Sequence, residues 1–249
     1  MLNAFLKGLG QYSLTLKRAF ARPENPAMFW KQLMRQCNVI GIRSLPIVLI
    51  VSFFLGIVTT LQVAYMLNGT IAPPYIIALV ARDTEMLELV PTGISAVVAG
   101  VAGFTIAAEL AYLRINEQID VLDVMGINSA SYLILPKIIA SLISFPCIII
   151  IAVATSLASG ALIAAWSGVL PVNEYMRGLL TDFKPYNMLV AIIKSVCFGF
   201  ITATVSSYKG YYAKGGSREI SRAAVKAVSL NYVVIIFWDY VITDVMLNP

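Results

Sequence analysis

A charged run between two long apolar segments holds the side chains of this sequence with the most specific chemistry. The run extends over residues 106–126, and its charged members are Glu109, Arg114, Glu117, Asp120 and Asp123. A bilayer does not tolerate that charge density cheaply, so the run should lie in water or against another protein. We therefore predict a polar helix at the membrane surface that docks a soluble partner. A solvated surface helix without a partner is the alternative.

Two further charges lie inside apolar segments. Lys194 is near the start of one such segment, and Asp239 is well inside another. Charged residues within a membrane span usually have a function or pair with one another. The long side chain of Lys194 could instead snorkel to nearby headgroups, whereas the short side chain of Asp239 needs a partner or water. Pairing of the two residues would neutralise both charges.

The sequence contains no recognisable catalytic or metal-binding set. It has no His, which excludes histidine acid–base chemistry and histidine metal sites. The three cysteines, Cys37, Cys147 and Cys197, are scattered and predict neither a metal site nor a disulfide framework. No nucleotide-binding G-x-x-x-x-G-K-[ST], G-x-S-x-G or H-E-x-x-H motif occurs. We therefore expect a transport or scaffolding role without catalytic residues or a bound metal.

The elements that position these charges are predicted to be transmembrane helices. Hydrophobic residues make up 59% of the 249 residues and charged residues 12%, whereas soluble domains carry about 25% charged residues. The apolar runs predict an all-α integral membrane protein with five spans, at about 45–67, 90–110, 134–164, 189–208 and 227–246. The connection at 71–91 has an irregular pattern, which suggests a bent or re-entrant start to the second span.

Residues 1–43 and 44–249 are predicted to be an N-terminal helical segment and one membrane domain. The N-terminal segment carries seven Lys and Arg residues and aromatic residues at helical spacing. This pattern is typical of an amphipathic helix in the membrane interface, and an ordinary cytoplasmic tail is the alternative.

The distribution of basic residues predicts the orientation of the chain. Lys and Arg are concentrated before the first span and in the connections at 111–133 and 208–226, so these parts should be cytoplasmic. Five spans then place the N-terminus in the cytoplasm and the C-terminal Asn248 and Pro249 in the periplasm. Topology therefore explains the formal charge of +5, which otherwise might suggest nucleic acid as a partner.

Several motifs occur in an order and at spacings that resemble one family. They are Phe54–Gln62 (FLGIVTTLQ), Glu88–Pro91 (ELVP), Glu109 followed by Arg114–Gly126 (RINEQIDVLDVMG), Leu135-Pro136, Lys194–Gly199 (KSVCFG), Gly210-Tyr211, Gly215-Gly216 and Ser221–Ala223. From about residue 30 to its end, the chain resembles MlaE/YrbE-type permeases, the membrane subunits of Mla and Mce lipid ABC transporters.

The resemblance implies a function and a set of partners. Such a permease is a homodimer in the bacterial inner membrane, with an interfacial N-terminal helix in each copy. Two cytoplasmic ABC ATPase subunits hydrolyse ATP with Mg²⁺, so the permease chain needs no cofactor of its own. A periplasmic MCE-domain ring extends the path of the phospholipid toward the outer membrane.

The resemblance also assigns the charged run to energy coupling. It implies a cytoplasmic coupling helix over about 111–128. Arg114, Glu117 and Asp120 would contact the ATPase through their charges, while Met125 and Gly126 pack the turn. Reversal of Glu117 and Asp120 to Lys should then uncouple the ATPase without affecting membrane insertion.

A lipid cavity at the dimer seam is the second site that the resemblance implies. Gln62, Met66, Leu67 and Glu88 occupy the corresponding positions of this sequence. The chain departs from the family pattern twice, because Leu87 and Val101 stand where the family often has Arg. We therefore expect no phosphate clamp at these two positions, although Leu87 remains part of the predicted lipid site.

Two other functions agree with the residues alone. A secondary transporter could use Asp239 and Lys194 as an ion relay, and its transport would survive removal of any ATPase but not addition of an uncoupler. A membrane scaffold that only anchors a soluble complex would contain no co-purifying lipid in a central cavity.

Overall fold

The protein is helical throughout the part of the chain that the structure describes. The structure is a computed structural model, and it describes residues 2–21, 26–67, 73–168 and 170–247. Five helical stretches are long and apolar enough to cross a membrane: Pro26–Leu67, Tyr75–Ile115, Ser129–Ser167, Pro185–Tyr211 and Ser217–Met246. The predicted all-α fold with five transmembrane helices is therefore confirmed. Asn248 and Pro249, predicted to be periplasmic, lie outside the described residues.

Eleven α-helices and two other helical segments make up the described chain. The helices before the second span are α1 (Leu2–Ala19), α2 (Pro26–Ile40) and α3 (Leu45–Leu67), with a 3₁₀ turn at Ile42–Ser44. The second span and the connection after it comprise α4 (Tyr75–Thr84), a π-helical segment (Glu85–Ile94), α5 (Ser95–Ile115), α6 (Gln118–Val124) and α7 (Ser129–Leu133). The remaining helices are α8 (Leu135–Ser167), α9 (Val172–Leu180), α10 (Pro185–Tyr211) and α11 (Ser217–Leu247).

Two helices begin earlier than the hydropathy pattern predicts. Residues from Tyr75 onward are helical, so the described part of the irregular connection leads into the second span as α4 and the π-helical segment. The wider π-helical turn accommodates Pro91, which lacks an N–H and would clash with a carbonyl in a regular α-helix. Helix α11 begins at Ser217, ten residues before the predicted span at about 227. Hydropathy detects the part of a helix that suits an apolar medium and misses its polar first turns.

The predicted helix over 111–128 is divided into parts by two residues in the left-handed region. Helix α5 ends at Ile115, and Glu117 then has a φ of 58°. The short helix α6 follows, and the chain leaves it through Gly126 with a φ of 81°. A left-handed residue interrupts the regular helical hydrogen bonds. The segment is therefore a helix end, a turn and a short helix instead of one continuous helix.

The chain folds into two compact units, and α5, α8, α10 and α11 contribute residues to both. The first unit comprises Met1–Ser44, Val98–Ser144 and Cys197–Trp238, and the second comprises Leu45–Val97, Phe145–Val196 and Asp239–Pro249.

In the first unit, hydrogen bonds attach α1 to α10 and to the residue that follows α10. The Tyr12 hydroxyl donates to Oγ1 of Thr204 at 2.8 Å, and the hydroxyls of Thr15 and Tyr212 are 2.9 Å apart. Burial raises the pKa of the Tyr12 phenol above its ordinary value, although the hydrogen bond with Thr204 opposes this. The phenol therefore stays protonated at neutral pH and remains a donor. These contacts argue against a free N-terminal tail.

Small residues on α5 allow close helix packing in the first unit. A Cβ atom at Gly100 would lie 2.6 Å from the Tyr232 hydroxyl, and one at Gly103 would lie 2.7 Å from Nδ2 of Asn231. The same Asn231 amide donates to Oγ of Ser206 at 2.8 Å. Small side chains let membrane helices approach each other until such hydrogen bonds can form.

In the second unit, Arg82 holds the end of α9. Its guanidinium donates to the carbonyl oxygens of Leu179 at 2.7 Å and Thr181 at 2.9 Å, and it forms an ion pair with Asp83 at 2.9 Å. The last carbonyls of a helix have no partner within the helix, so these donors stabilise its end. The Arg82 side chain is only 2% exposed.

We expect Arg82→Ala to destabilise the protein by about 3 kcal/mol, because it leaves Asp83 and several buried carbonyls without their partner. Arg177→Ala is the matched control. Its side chain is 66% exposed, and its Glu174 partner is 3.9 Å away, so it should cost less than about 1 kcal/mol. Thermal unfolding of the detergent-solubilised variants measures both effects. Equal losses would show that Arg82 has no special role at α9.

Candidate functional site

The π-helical segment, α10 and α11 bring three charged side chains together in the second unit. Nζ of Lys194 lies 2.9 Å from Oε1 of Glu88 and 2.9 Å from Oδ1 of Asp239. It also donates to the carbonyl oxygen of Leu87 at 2.9 Å, which uses all three donors of the ammonium group. The Lys194 side chain has no exposed surface, so it does not snorkel to headgroups. We call Lys194, Glu88 and Asp239 the lysine cluster.

Two threonine hydroxyls complete the lysine cluster. Thr92 donates to Oδ1 of Asp239 at 2.8 Å, and Thr243 donates to Oε1 of Glu88 at 3.1 Å. With both carboxylates ionised and the ammonium protonated, the cluster has a formal charge of −1. The Glu88 side chain is 41% exposed, whereas that of Asp239 is 17% exposed. The accessible charge of the cluster is therefore the negative charge on Glu88.

The sequence indicates each member of the lysine cluster but not their arrangement. The pairing of Lys194 with Asp239 agrees with the prediction, whereas the sequence pattern predicts Glu88 only as part of the lipid site. Because Lys194 and Glu88 are 106 positions apart in sequence, their contact depends on how the helices pack. The ion pairing preferred inside membranes could have suggested Glu88 as a second partner.

The other predicted lipid-site residues are in the same unit as the lysine cluster. Gln62 and Met66 are exposed on the last turns of α3, and Leu67 is half-buried. Helix α3 packs against the π-helical segment that carries Leu87 and Glu88. An uncovered apolar row on α3 leads to Met66 and comprises Ile50, Phe54, Val58, Leu61 and Tyr65. The unit thus presents an apolar surface and, on the neighbouring segment, a partly exposed carboxylate.

The predicted coupling residues meet at the turn around Glu117 in the first unit. Nη1 of Arg114 lies 2.7 Å from Oδ1 of Asp120, so these two side chains form an ion pair across the turn. Glu117 is exposed and has no such partner among the described residues. Met125 is 68% exposed, and Gly126 makes the following turn. The charges of Arg114 and Asp120 therefore pair with each other across the turn, whereas the sequence predicts both as contacts for a partner.

Helix α6 exposes apolar side chains that the sequence analysis missed. Val121 is 57% exposed and Val124 is 89% exposed, whereas Ile119 is fully buried. A helix that exposes apolar residues beside a buried one has two apolar faces, of which only one can belong to the core of the unit. The spacing of Ile119, Val121 and Val124 in the sequence is the pattern that could have predicted these two faces. Together with Met125, Val121 and Val124 form what we call the α6 apolar surface.

Comparison with known proteins identifies one family. Residues 33–245 match the family described as "Permease MlaE". The chain is 30% identical to a "Probable ABC transporter permease protein" of Rickettsia bellii, over 96% of this chain and 92% of that relative. It is 27% identical to the "Intermembrane phospholipid transport system permease protein MlaE" of Haemophilus influenzae, over 97% of this chain and 93% of that relative. A chloroplast relative, the Arabidopsis thaliana "Protein TRIGALACTOSYLDIACYLGLYCEROL 1", is 30% identical over 86% of this chain and 61% of its own length.

Proposed function

This chain belongs to the MlaE permease family and is a membrane permease subunit, and on that premise we propose that its cargo is phospholipid. We propose that it moves the lipid between the bacterial inner membrane and a periplasmic MCE-domain partner. A homodimer of the chain would span the membrane, with its N-termini in the cytoplasm. A separate ABC ATPase would bind and hydrolyse ATP with Mg²⁺. The name of the Haemophilus influenzae relative, a permease of an intermembrane phospholipid transport system, supports phospholipid as the cargo.

The observation that carries the lipid proposal is the lysine cluster beside an uncovered apolar helix. Met66 and Leu67 lie at the end of the apolar row on α3, where flexible side chains suit acyl chains. Glu88 lies on the π-helical segment that packs against this helix, and it supplies a charged group that can orient a headgroup. An apolar surface with few polar groups is the usual composition of a site for an amphiphile.

The charge of this site indicates which headgroup it accepts. Lys194 is buried and forms ion pairs with two carboxylates, and the side chain of Leu87 supplies no positive charge. An anionic phosphate would therefore meet the negative charge of Glu88, whereas the ammonium of phosphatidylethanolamine would be attracted to it. We infer a preference for amine-containing phospholipids over phosphatidylglycerol.

We expect Leu87→Arg to shift this preference toward anionic lipid. The half-buried Leu87 precedes Glu88, so an Arg there would add a cation beside the exposed carboxylate and could form paired hydrogen bonds with a phosphate. Mass spectrometry of the lipids that co-purify with each variant should show several-fold more phosphatidylglycerol relative to phosphatidylethanolamine. Leu87→Met is the control for side-chain size. An unchanged ratio in Leu87→Arg would place the headgroup elsewhere.

Energy coupling is proposed to occur at α6 and the turn before it. Glu117 and the α6 apolar surface are exposed in the chain, whereas the Arg114–Asp120 ion pair stabilises the turn. A partner that covers Val124 would bury apolar area, and Glu117 at the rim of such a contact would steer its approach. The proposed partner at this surface is the ATPase.

Reconstitution tests the whole proposal. The permease is purified with its partners and reconstituted into liposomes that contain labelled phospholipid. Transfer of the label out of these liposomes is followed with and without ATP. We expect ATP-dependent transfer, and an ATPase and an MCE-domain protein among the co-purified proteins.

The Lys194–Asp239 contact also suits an ion relay, so an uncoupler is added in parallel. Transfer that needs no ATPase but stops with the uncoupler would identify a secondary transporter, and a purified complex without lipid would identify a scaffold.

A further inference from the structure

A second carboxyl lies one turn before Glu88 on the π-helical segment, in very different surroundings. Glu85 is fully buried and does not belong to the lysine cluster. One of its oxygens meets the hydroxyl of Thr59 on α3, and the other accepts a hydrogen bond from Oγ of Ser156 on α8 at 2.7 Å. Glu85 therefore joins three elements of the second unit through two neutral hydroxyl groups.

No positive charge balances Glu85. Among the described residues, no Lys or Arg forms an ion pair with it. Arg82, one turn earlier on α4, directs its donors to Asp83 and to the carbonyls at the end of α9. Lys194 of α10 pairs with both Asp239 of α11 and Glu88, so its positive charge is already used.

Among the described residues, a further titratable group near Glu85 is a phenol. Tyr175 of α9 is fully buried and donates to the carbonyl of Leu157 on α8 at 3.1 Å. Burial raises the pKa of Tyr175 to about 12, so the phenol is neutral at physiological pH. It cannot neutralise a carboxylate. An isolated ionised carboxylate at Glu85 would thus be buried with only hydroxyl donors, which costs several kcal/mol.

The hydrogen-bond acceptors around Thr59 outnumber its single proton. Oγ1 of Thr59 lies 2.9 Å from the carbonyl oxygen of Leu55 and 3.2 Å from that of Gly56, and it also contacts Glu85. If Glu85 is ionised, the Thr59 proton points to the carboxylate and the bond to Leu55 is lost. If Glu85 carries a proton, it can donate to Oγ1 while Thr59 donates to Leu55 and Ser156 donates to the second carboxyl oxygen. The protonated form keeps both contacts of Glu85 and the bond from Thr59 to Leu55, without a buried net charge.

We propose that Glu85 is a proton-binding site that holds its proton in the folded transporter at neutral pH. The proton makes the carboxyl a neutral donor that ties α3 to the π-helical segment and to α8. The same helices are in backbone contact nearby, because a Cβ atom at Gly56 would lie 1.9 Å from the carbonyl oxygen of Ser156. Release of the proton would place a charge in this tightly packed junction. Proton binding at Glu85 therefore fixes the position of α3, which also carries Gln62 and Met66.

Infrared difference spectroscopy tests the proton directly. The full-length protein is measured in lipid nanodiscs at neutral pH, and the carbonyl stretch of protonated carboxylic acids is compared in H₂O and D₂O. We expect a deuterium-sensitive band in the wild type and in Glu88→Gln that Glu85→Gln lacks. Absence of the band in the wild type would show that Glu85 is ionised, and an undiminished band in Glu85→Gln would show that Glu85 contributes no protonated carboxyl; either result would overturn the proposal.

Thermal unfolding distinguishes this proposal from a general structural role. A Gln at position 85 can donate to Thr59 and accept from Ser156, as the protonated acid does, so Glu85→Gln should unfold close to the wild-type temperature. The folded protein would hold a proton that the unfolded chain releases, so wild-type stability should fall as pH rises. Glu85→Gln should show a weaker fall. A variant that is strongly destabilised at every pH, or that keeps the wild-type pH dependence, would contradict the proposal.

Discussion

Replacement of Lys194 with Met is expected to abolish lipid transfer and to destabilise the protein. The ammonium group is fully buried and lies 2.9 Å from carboxylate oxygens of both Glu88 and Asp239. Its removal leaves two carboxylates that repel each other, of which Asp239 is mostly buried. Removal of one partner from a buried ion pair typically costs about 3–5 kcal/mol, because the remaining charge has no compensation. Glu88 is partly exposed, so the lower end of this range is expected.

Three variants separate the structural contribution of the lysine cluster from its role in transport. Lys184→Met changes an exposed lysine of the same unit and should leave stability and transfer near wild type. Lys194→Met combined with Glu88→Gln and Asp239→Asn removes all three charges and should recover most of the lost stability. Thermal unfolding and ATP-driven lipid transfer are measured for each variant. If the neutral triple variant also recovers transfer, the charges serve folding alone.

The contact of Lys194 with Glu88 changes the interpretation of a charge swap. Exchange of Lys194 and Asp239 would place an Asp at position 194 beside Glu88, whose oxygen now lies 2.9 Å from the lysine nitrogen. Two like charges at that distance repel, so a failed swap would not disprove pairing. The neutral triple variant avoids this difficulty.

Val124→Asp is expected to reduce ATPase binding by at least about tenfold, a loss near 1.4 kcal/mol. Val124 is the most exposed side chain of the α6 apolar surface, at 89% exposure. A carboxylate there would have to be desolvated in any complex that covers it, and truncation of central apolar contacts usually costs more than loss of rim charges. The change is measured as the amount of ATPase that co-purifies and as lipid-stimulated ATP hydrolysis.

The matched control for Val124→Asp places a carboxylate at an exposed position outside α6. Lys214→Asp lies outside α6 and should leave the amount of bound ATPase unchanged.

Glu117→Lys with Asp120→Lys should also uncouple hydrolysis from transfer, partly because Asp120 no longer pairs with Arg114 across the turn. Normal ATPase binding by Val124→Asp would show that α6 is not the docking surface.

Much of the fold follows from the sequence because each membrane span is a local property. An apolar run of sufficient length must satisfy its own backbone hydrogen bonds, so it forms a helix whatever it packs against. This is why the span starts at 45 and 134 lie within one residue of α3 and α8. The early start of α11 escaped prediction because its first turns are polar. That of α4 escaped prediction because the charged residues between Arg82 and Glu88 interrupt the apolar pattern before the second predicted span.

The detailed site depends on packing between distant segments. Glu85 and Glu88 are three positions apart and chemically identical in the sequence. Packing gives Glu88 a lysine from α10, whereas it gives Glu85 only hydroxyls from α3 and α8. In the same way, the sequence marks Arg114 and Asp120 as charges available to a partner, and only the turn at Glu117 brings them together as a pair.

The sequence by itself determined the helical membrane fold, the five spans and the family of permeases to which the chain belongs. Composition and motif order carry that information, because apolar length and conformational constraints act along the chain. Only the tertiary structure decided which charges neutralise each other and which stay accessible. A charge in a low-dielectric medium is governed by the groups within a few ångströms of it. For Lys194 and Glu88 those groups lie 106 positions apart in sequence.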